Sequence, residues 1–215
     1  MNLFLDFLFP KSNETLELEA LSAAAILDKC PQAERISEKD IFAIFDYSHP
    51  TVKKIVWEIK YRGNKIIADK AAEIIHDVIK HEFAEISLFH SGWQETLIPL
   101  VPVPSSKERR RERGWNQTEL ITAKIMDKDM GHTFAHFPKQ LIKIRHTQSQ
   151  TETSSKNARL ENIKNSMSII DEQVFKGKNV LIIDDVFTTG ATFAEARRVL
   201  KLAGAKQILC VAFAH

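Results

Sequence analysis

The run Val180-Leu181-Ile182-Ile183-Asp184-Asp185-Val186-Phe187-Thr188-Thr189-Gly190-Ala191-Thr192 leaves a folding chain few choices. Four successive apolar residues predict a strand buried on both faces, the kind that parallel sheets contain. Ligands of open α/β sheets sit beyond the carboxyl ends of such strands, which is where Asp184 and Asp185 fall. A hydroxyl-rich turn follows, and then Phe193 to Ala203 shows a helical pattern closed by Gly204. The N-terminus of such a helix offers unpaired N–H groups and a partial positive charge, so it can cradle a phosphate. Gly190 permits close backbone approach, and the hydroxyls of Thr188, Thr189 and Thr192 can donate further hydrogen bonds.

Paired carboxylates accept hydrogen bonds from neighbouring hydroxyls and draw in a divalent cation. Acids for a diol, with a phosphate cup one turn later, describe a site for ribose 5-phosphate. A strand, an Asp-containing turn and a capped helix would explain Asp184 and Asp185 alone without any ligand. The Thr-Thr-Gly-Ala-Thr turn is what favours the ligand. A nucleotide triphosphatase would need a Gly-x-x-x-x-Gly-Lys-Ser/Thr loop, which this chain lacks, and its seven glycines form no dinucleotide fingerprint. The run resembles the phosphoribosyl pyrophosphate (PRPP) motif of type I phosphoribosyltransferases. That resemblance implies that Asp184 and Asp185 are catalytic and hold the ribose 2′ and 3′ hydroxyls. It also implies that Thr188, Thr189, Gly190, Ala191 and Thr192 hold the 5-phosphate.

The remaining sequence fits an α/β protein. A chain of 215 residues holds one α/β domain with an appendage, or two small lobes around a shared core. No apolar stretch approaches a membrane span and no signal peptide opens the chain, so membrane insertion is not expected. Cys30 and Cys210 alone make neither a disulfide framework nor a thiolate zinc site, and a reducing cytoplasm is the expected setting. A helix is expected over Glu14–Lys29 and a strand over Ile41–Tyr47. His49-Pro50 then opens a helix that ends at Lys60-Tyr61-Arg62-Gly63, and a longer helix runs to about Phe83. Leu97 to Pro104 reads as a second buried strand, with prolines that exclude ordinary central ladder pairing throughout. Leu120–Met130 is helical, Gln140–Arg145 a strand, and His146–Lys156 a polar stretch. The eight histidines show no metal-binding spacing, and surface or capping roles suit them.

Between the second strand and the next helix, Lys107 to Arg113 packs five bases and two acids into seven residues. In isolation this would be a solvated helix end. Because it follows a buried strand, it falls at the same sheet edge as Asp184 if the strands are parallel. Arg forks bind phosphate oxygens in pairs, so arginines placed there would suit the dense charge of pyrophosphate.

Five motifs occur in order: Lys60-Tyr61-Arg62-Gly63, Pro102-Val103-Pro104 with Arg109, Arg113-Gly114-Trp115-Asn116-Gln117, Thr147-Gln148-Ser149-Gln150, and Arg159-Leu160-Glu161-Asn162. With them the chain resembles the ComF/GntX-like branch of type I phosphoribosyltransferases from about residue 41 onward. It departs from that pattern at Trp115, where Phe is usual, and at Thr153, where Leu is common. It also has only Cys30 where a four-cysteine zinc ribbon is usual, so no zinc site is expected. The resemblance implies a type I phosphoribosyltransferase-like α/β fold, with a mostly parallel central sheet flanked by helices. An N-terminal helical hood lobe would span 1–90 and the core 91–215. PRPP would bind with Mg²⁺, pyrophosphate would face Pro104, Ser105, Arg109 and Arg113, and a mobile loop carrying Thr147, Gln150 and Arg159 would close over it. Phosphoribosyl would pass to an acceptor that the sequence does not name, and oligomeric state is equally silent. The alternative that the resemblance implies is an accessory protein of natural transformation, with a sensory or vestigial PRPP site. Such a protein would meet single-stranded DNA or DNA-uptake proteins. Trp115 and Tyr61 would stack bases among Lys53, Lys54, Lys60, Arg62, Lys65, residues 107–113, Lys139, Lys143 and Arg145. A net charge of +2 makes any such groove local.

Overall fold

Val180–Val186 and Ile208–Ala214 are the two longest strands, and their side chains alternate between two apolar clusters. Val180, Ile182, Ile208, Cys210 and Ala212 face one cluster, while Leu181, Ile183, Leu209, Val211 and Phe213 face the other. A strand that must be apolar on both sides reads as a continuous hydrophobic run, and that is why both segments do. The computed structural model describes residues 11–38, 40–89, 97–145 and 162–215.

In chain order the elements are α1 (Asn13–Ala20), α2 (Ala23–Lys29), β1 (Ile41–Phe45), α3 (Pro50–Trp57), a π-turn (Glu58–Arg62) and α4 (Lys65–Phe89). They continue with β2 (Ile98–Pro102), α5 (Lys107–Arg113), α6 (Gln117–Lys128), β3 (Phe134–His136), β4 (Leu141–Lys143) and β5 (Met167–Ile169). The last three are β6 (Val180–Val186), α7 (Ala191–Leu202) and β7 (Ile208–Ala214). Five strands form one parallel sheet in the order β1-β7-β6-β2-β3, with Leu100 opposite Leu181 and Ile183 opposite Val211. β4 and β5 pair antiparallel in a separate ribbon. Helices α1 to α4 and α6 cover one face of the sheet, and α7 with the ribbon covers the other. This is the helix-flanked, type I phosphoribosyltransferase-like α/β arrangement expected from the sequence. The first cluster joins residues from both sides of the 90/91 division, and β1 is itself a strand of the sheet.

Three local expectations need correction. The single helix over 14–29 is two helices: Leu21 is extended, and the Ser22 hydroxyl accepts from Ala25 N at 3.1 Å, restarting the helix with a new cap. The helix expected to stop near Phe83 continues to Phe89. β2 is central despite its prolines, because both lie where no donor is needed. Ile98 N–H points to Thr133 O of the β3 side and Val103 N–H to Ile183 O of β6, so alternate residues donate to opposite neighbours. Pro99 would donate toward β6 before that pairing begins at Leu100, and Pro102 toward β3 after that pairing ends at Leu100. Among the described residues no helix is long and apolar enough to cross a membrane.

Candidate functional site

Parallel register brings the carboxyl ends of β6 and β2 side by side, and the sequence-predicted residues collect there. Asp184 and Asp185 end the apolar part of β6. Pro102 lies opposite Ile183, so Pro104 and Ser105 follow directly beside the acidic pair. Asp184 keeps only 7% exposure, and its Oδ1 accepts from Asp185 N at 2.9 Å. Asp185 Oδ1 accepts from Val186 N at 2.9 Å, and its Oδ2 from Gln117 Nε2 at 3.3 Å. Burial, then the adjacent Asp185 charge, pushes the Asp184 carboxyl well above the ordinary aspartate range, and Lys60 draws it partly back.

The turn after β6 is built for close approach. Gly190 sits at φ 79° as the cap of α7, and no side chain caps that helix end. The positive φ favours glycine there, and a β-carbon at Gly190 would also crowd the Phe187 ring at 3.3 Å. Ala191, the first residue of α7, is buried. Thr188 is exposed, and Thr189 and Thr192 are partly buried. The hydroxyls of Thr189 and Ser105 are both buried, and neither finds a hydrogen-bond partner among the described residues. Buried hydroxyls are ordinarily satisfied; His49 Nδ1, Ser166 Oγ and Asn179 Oδ1 are orphaned in the same way, and what distinguishes Thr189 and Ser105 is their place just beyond the carboxyl ends of β6 and β2.

Basic groups reach the acids from three elements. Arg109 and Arg113 lie on α5, which is capped by the Ser106 hydroxyl accepting from Arg109 N. Arg113 Nη1 approaches Gln117 Oε1 at 3.5 Å, completing a chain from Arg113 through Gln117 to Asp185. The N-terminus of α6 is pinned to the end of β2, where Val103 O accepts from Asn116 Nδ2 at 3.1 Å and from Thr118 Oγ1 at 2.6 Å. Lys143, on the ribbon, is the residue that sequence reasoning assigned to a general basic groove and not to this site. Burial, then the neighbouring Arg109 charge, lowers its pKa to about 8, with Asp184 opposing. The ribbon is held to α7 by Glu195, which accepts from Met167 N at 3.3 Å and binds Arg198 through both its oxygens at 2.8 and 3.0 Å.

The Lys60-Tyr61-Arg62-Gly63 and Arg113-Gly114-Trp115 motifs meet in space. Trp115 Nε1 donates to Ile59 O at 3.0 Å, and a β-carbon on Gly63 would lie 2.9 Å from the indole. The π-turn therefore carries Lys60 toward Asp184 and Tyr61 toward Tyr47. Tyr47, just beyond β1, completes this side: burial, then Asp185, then Tyr61, raises its phenol pKa. Tyr47 carried no sequence signal beyond closing the strand expected over 41–47, which stops at Phe45, and neither Lys60 nor Tyr61 was assigned to the acidic pair. Thr147, Gln150 and Arg159, expected on a closing loop, lie outside the described residues.

Comparison with known proteins bears on this geometry. The phosphoribosyl transferase domain family matches residues 131–215, which include the acidic pair and the threonine turn. The chain is 34% identical over 151 residues to competence protein ComFC of Bacillus subtilis, covering 69% of this chain and 53% of that protein. It is 29% identical over 110 residues to competence protein F of Haemophilus influenzae, covering 51% and 46% respectively. With DNA utilization protein YhgH of Salmonella typhi the identity is 27% over 201 residues, covering 89% and 78%. The chain thus spans about half the length of the first two relatives. The parallel sheet, the acid-tipped β6 and these matches together make the chain a ComF-like member of the type I phosphoribosyltransferase family.

Proposed function

We propose that the edge formed by β6, β2 and the N-terminus of α7 binds PRPP. The observation that carries this reading is the buried Asp184 and half-buried Asp185 beside two buried, unpartnered hydroxyls, those of Thr189 and Ser105. The acids would accept hydrogen bonds from the ribose diol, and the 188–192 turn would donate to the 5-phosphate. Ser105, Pro104, Arg109 and Arg113 would face pyrophosphate, with Lys143 as a further cation from the ribbon.

The donor set also suits Mg²⁺, which favours one or two carboxylates together with substrate phosphates. Among the described residues no three His, Cys, Asp or Glu side chains gather into a protein-only metal cluster. Asp184 and Asp185 would therefore hold a cation arriving with its ligand, and bound there it would neutralise developing pyrophosphate charge. Fixed charge of this kind suits loss of pyrophosphate from the sugar's anomeric carbon and transfer of phosphoribosyl to an acceptor. Calorimetry with PRPP and Mg²⁺ tests the reading. The wild type should bind and the Asp184→Asn/Asp185→Asn variant should not, whereas equal affinity would remove the proposal. Pyrophosphate release in the presence of candidate acceptors would then establish transfer.

A further inference from the structure

β1 ends the sheet, and its outer edge is only partly closed. Cys210 N donates to Asp40 O, and Ile41 lies opposite Cys210. Parallel pairing then turns the backbone polar groups of Phe42 toward β7 and those of Ile41 and Ala43 outward. At one end of this edge Ile41 N donates to Glu38 O at 3.2 Å. At the other, Ala33 N donates to Ile44 O at 3.0 Å and Asp46 N to Pro31 O at 2.9 Å. Residues 34–38 bow away between the two closures. Left between them are Ala43 N–H and the carbonyls of Ile41 and Ala43, which find no hydrogen-bond partner among the described residues. The bow encloses a cavity of about 1130 Å³ along the same edge. Leu27, Phe42 and Val78 line it from one apolar cluster and Ile36 from the other, so it straddles both faces of the sheet. Glu34, Glu38, Asp77 and Glu82 stand around it, against Arg35 and His81. Glu38 is held by Arg197 at 3.4 Å, and Asp77 approaches His76 Nδ1 at 3.4 Å. Glu34 and Glu82 have no ion-pair partner among the described residues.

We propose that this edge receives an extended, lysine- or arginine-rich segment of a partner protein, which adds a strand beside β1. Open main-chain donors and acceptors are what a peptide backbone satisfies when it joins a sheet edge. A strand also sends alternate side chains to opposite faces, which matches a cavity that straddles the edge. Charge then selects the sequence. Long cationic side chains can lay their methylene stems on Leu27, Ile36, Phe42 and Val78 and carry their charged heads out to Glu34, Asp77 and Glu82. A second copy of this chain, docked symmetrically, would bring the same acids face to face, so the charge disfavours self-pairing.

The proposal does not rest on the PRPP reading, since the cavity lies on the side of β1 away from β7 and not at the tips of β6 and β2. Fluorescence anisotropy with a labelled peptide of alternating lysine and valine, about ten residues long, tests it at low salt. The peptide should bind, and its counterpart with glutamate in place of lysine should not. Methylating every backbone nitrogen of the lysine peptide should weaken binding at least about tenfold, because the edge then loses its main-chain donors. Glu34→Lys/Asp77→Lys/Glu82→Lys should also weaken it at least about tenfold, with a melting temperature near that of the wild type. Amide exchange at Ala43, followed by nuclear magnetic resonance, should slow when the peptide is bound. No binding of the lysine peptide, equal affinity for the methylated one, or unchanged exchange at Ala43 would each overturn the proposal. A concentration-dependent dimer that the triple variant abolishes would overturn it as well, by making a second copy the occupant.

Discussion

Burial at the tip of β6 and the neighbouring Asp185 charge hold the Asp184 carboxyl above its ordinary range, and the sign of that shift makes a prediction. A carboxyl whose pKa rises on folding favours the native state while protonated and loses that contribution as pH rises through its folded pKa. Asp184→Asn should therefore leave stability unchanged below about pH 4 and raise Tm near pH 7, while abolishing PRPP binding. Thermal melts in metal-free buffer across that range check this, and a destabilised variant at neutral pH would refute it. Lys143 behaves in the opposite sense. Its pKa of about 8 means that the ammonium charge is present below that pH and lost above it. A bound polyanion would hold the proton, so affinity for inorganic pyrophosphate should fall by up to roughly tenfold per pH unit above about 8. Lys143→Gln should flatten that profile in calorimetric titrations. Asp184 was legible in the sequence because the acids follow directly on the apolar run. Lys143 was not legible as a partner of Asp184, because the ribbon that delivers it is tied to α7 through Glu195, 28 residues away from Met167.

At the scale of elements, the π-turn is the piece that local pattern could not supply. The sequence marks a helix end at Gly63, and the chain does turn there with φ 57°. What widens the last helical turn is set by distant residues. Thr15 Oγ1 donates to Glu58 Oε1 at 2.7 Å from 43 positions away, and Trp115 claims the Ile59 carbonyl from 56 positions away. Asn64 Nδ2 bridges to Glu19 Oε1 at 2.7 Å, so α1 is tied to the turn twice. Thr15→Val would strip the buried Glu58 carboxylate of a donor. The expected cost is about 1–3 kcal/mol in denaturant unfolding, together with faster amide exchange over residues 58–63. Unchanged exchange there would show that α1 does not hold the turn. Gly190→Ala tests the other site-forming turn. Positive φ and the Phe187 contact should together cost about 1–2 kcal/mol, and PRPP affinity should fall with them.

Across the whole molecule, the sheet was readable because buried parallel strands advertise themselves as apolar runs, and β6, β2 and β1 all did so. The order of the strands was not readable, since it depends on pairing between segments as distant as β1 and β7. That pairing, with one apolar cluster spanning α1 to β7, predicts cooperative behaviour. Denaturant curves followed by far-ultraviolet dichroism and by tryptophan fluorescence should coincide, while two separated transitions would mean that the N-terminal helices form an independent unit. The contact of Gly63 with Trp115 reaches beyond stability into descent. A methyl group at position 63 would crowd the indole at 2.9 Å, and the φ of 57° strains an L side chain there as well, so shrinking residue 115 lifts one barrier to a side chain at 63 and leaves the other. The two motifs, 52 positions apart, can diverge in one order and not in the other, and chains carrying a non-glycine at 63 should already have lost the bulky ring that faces it.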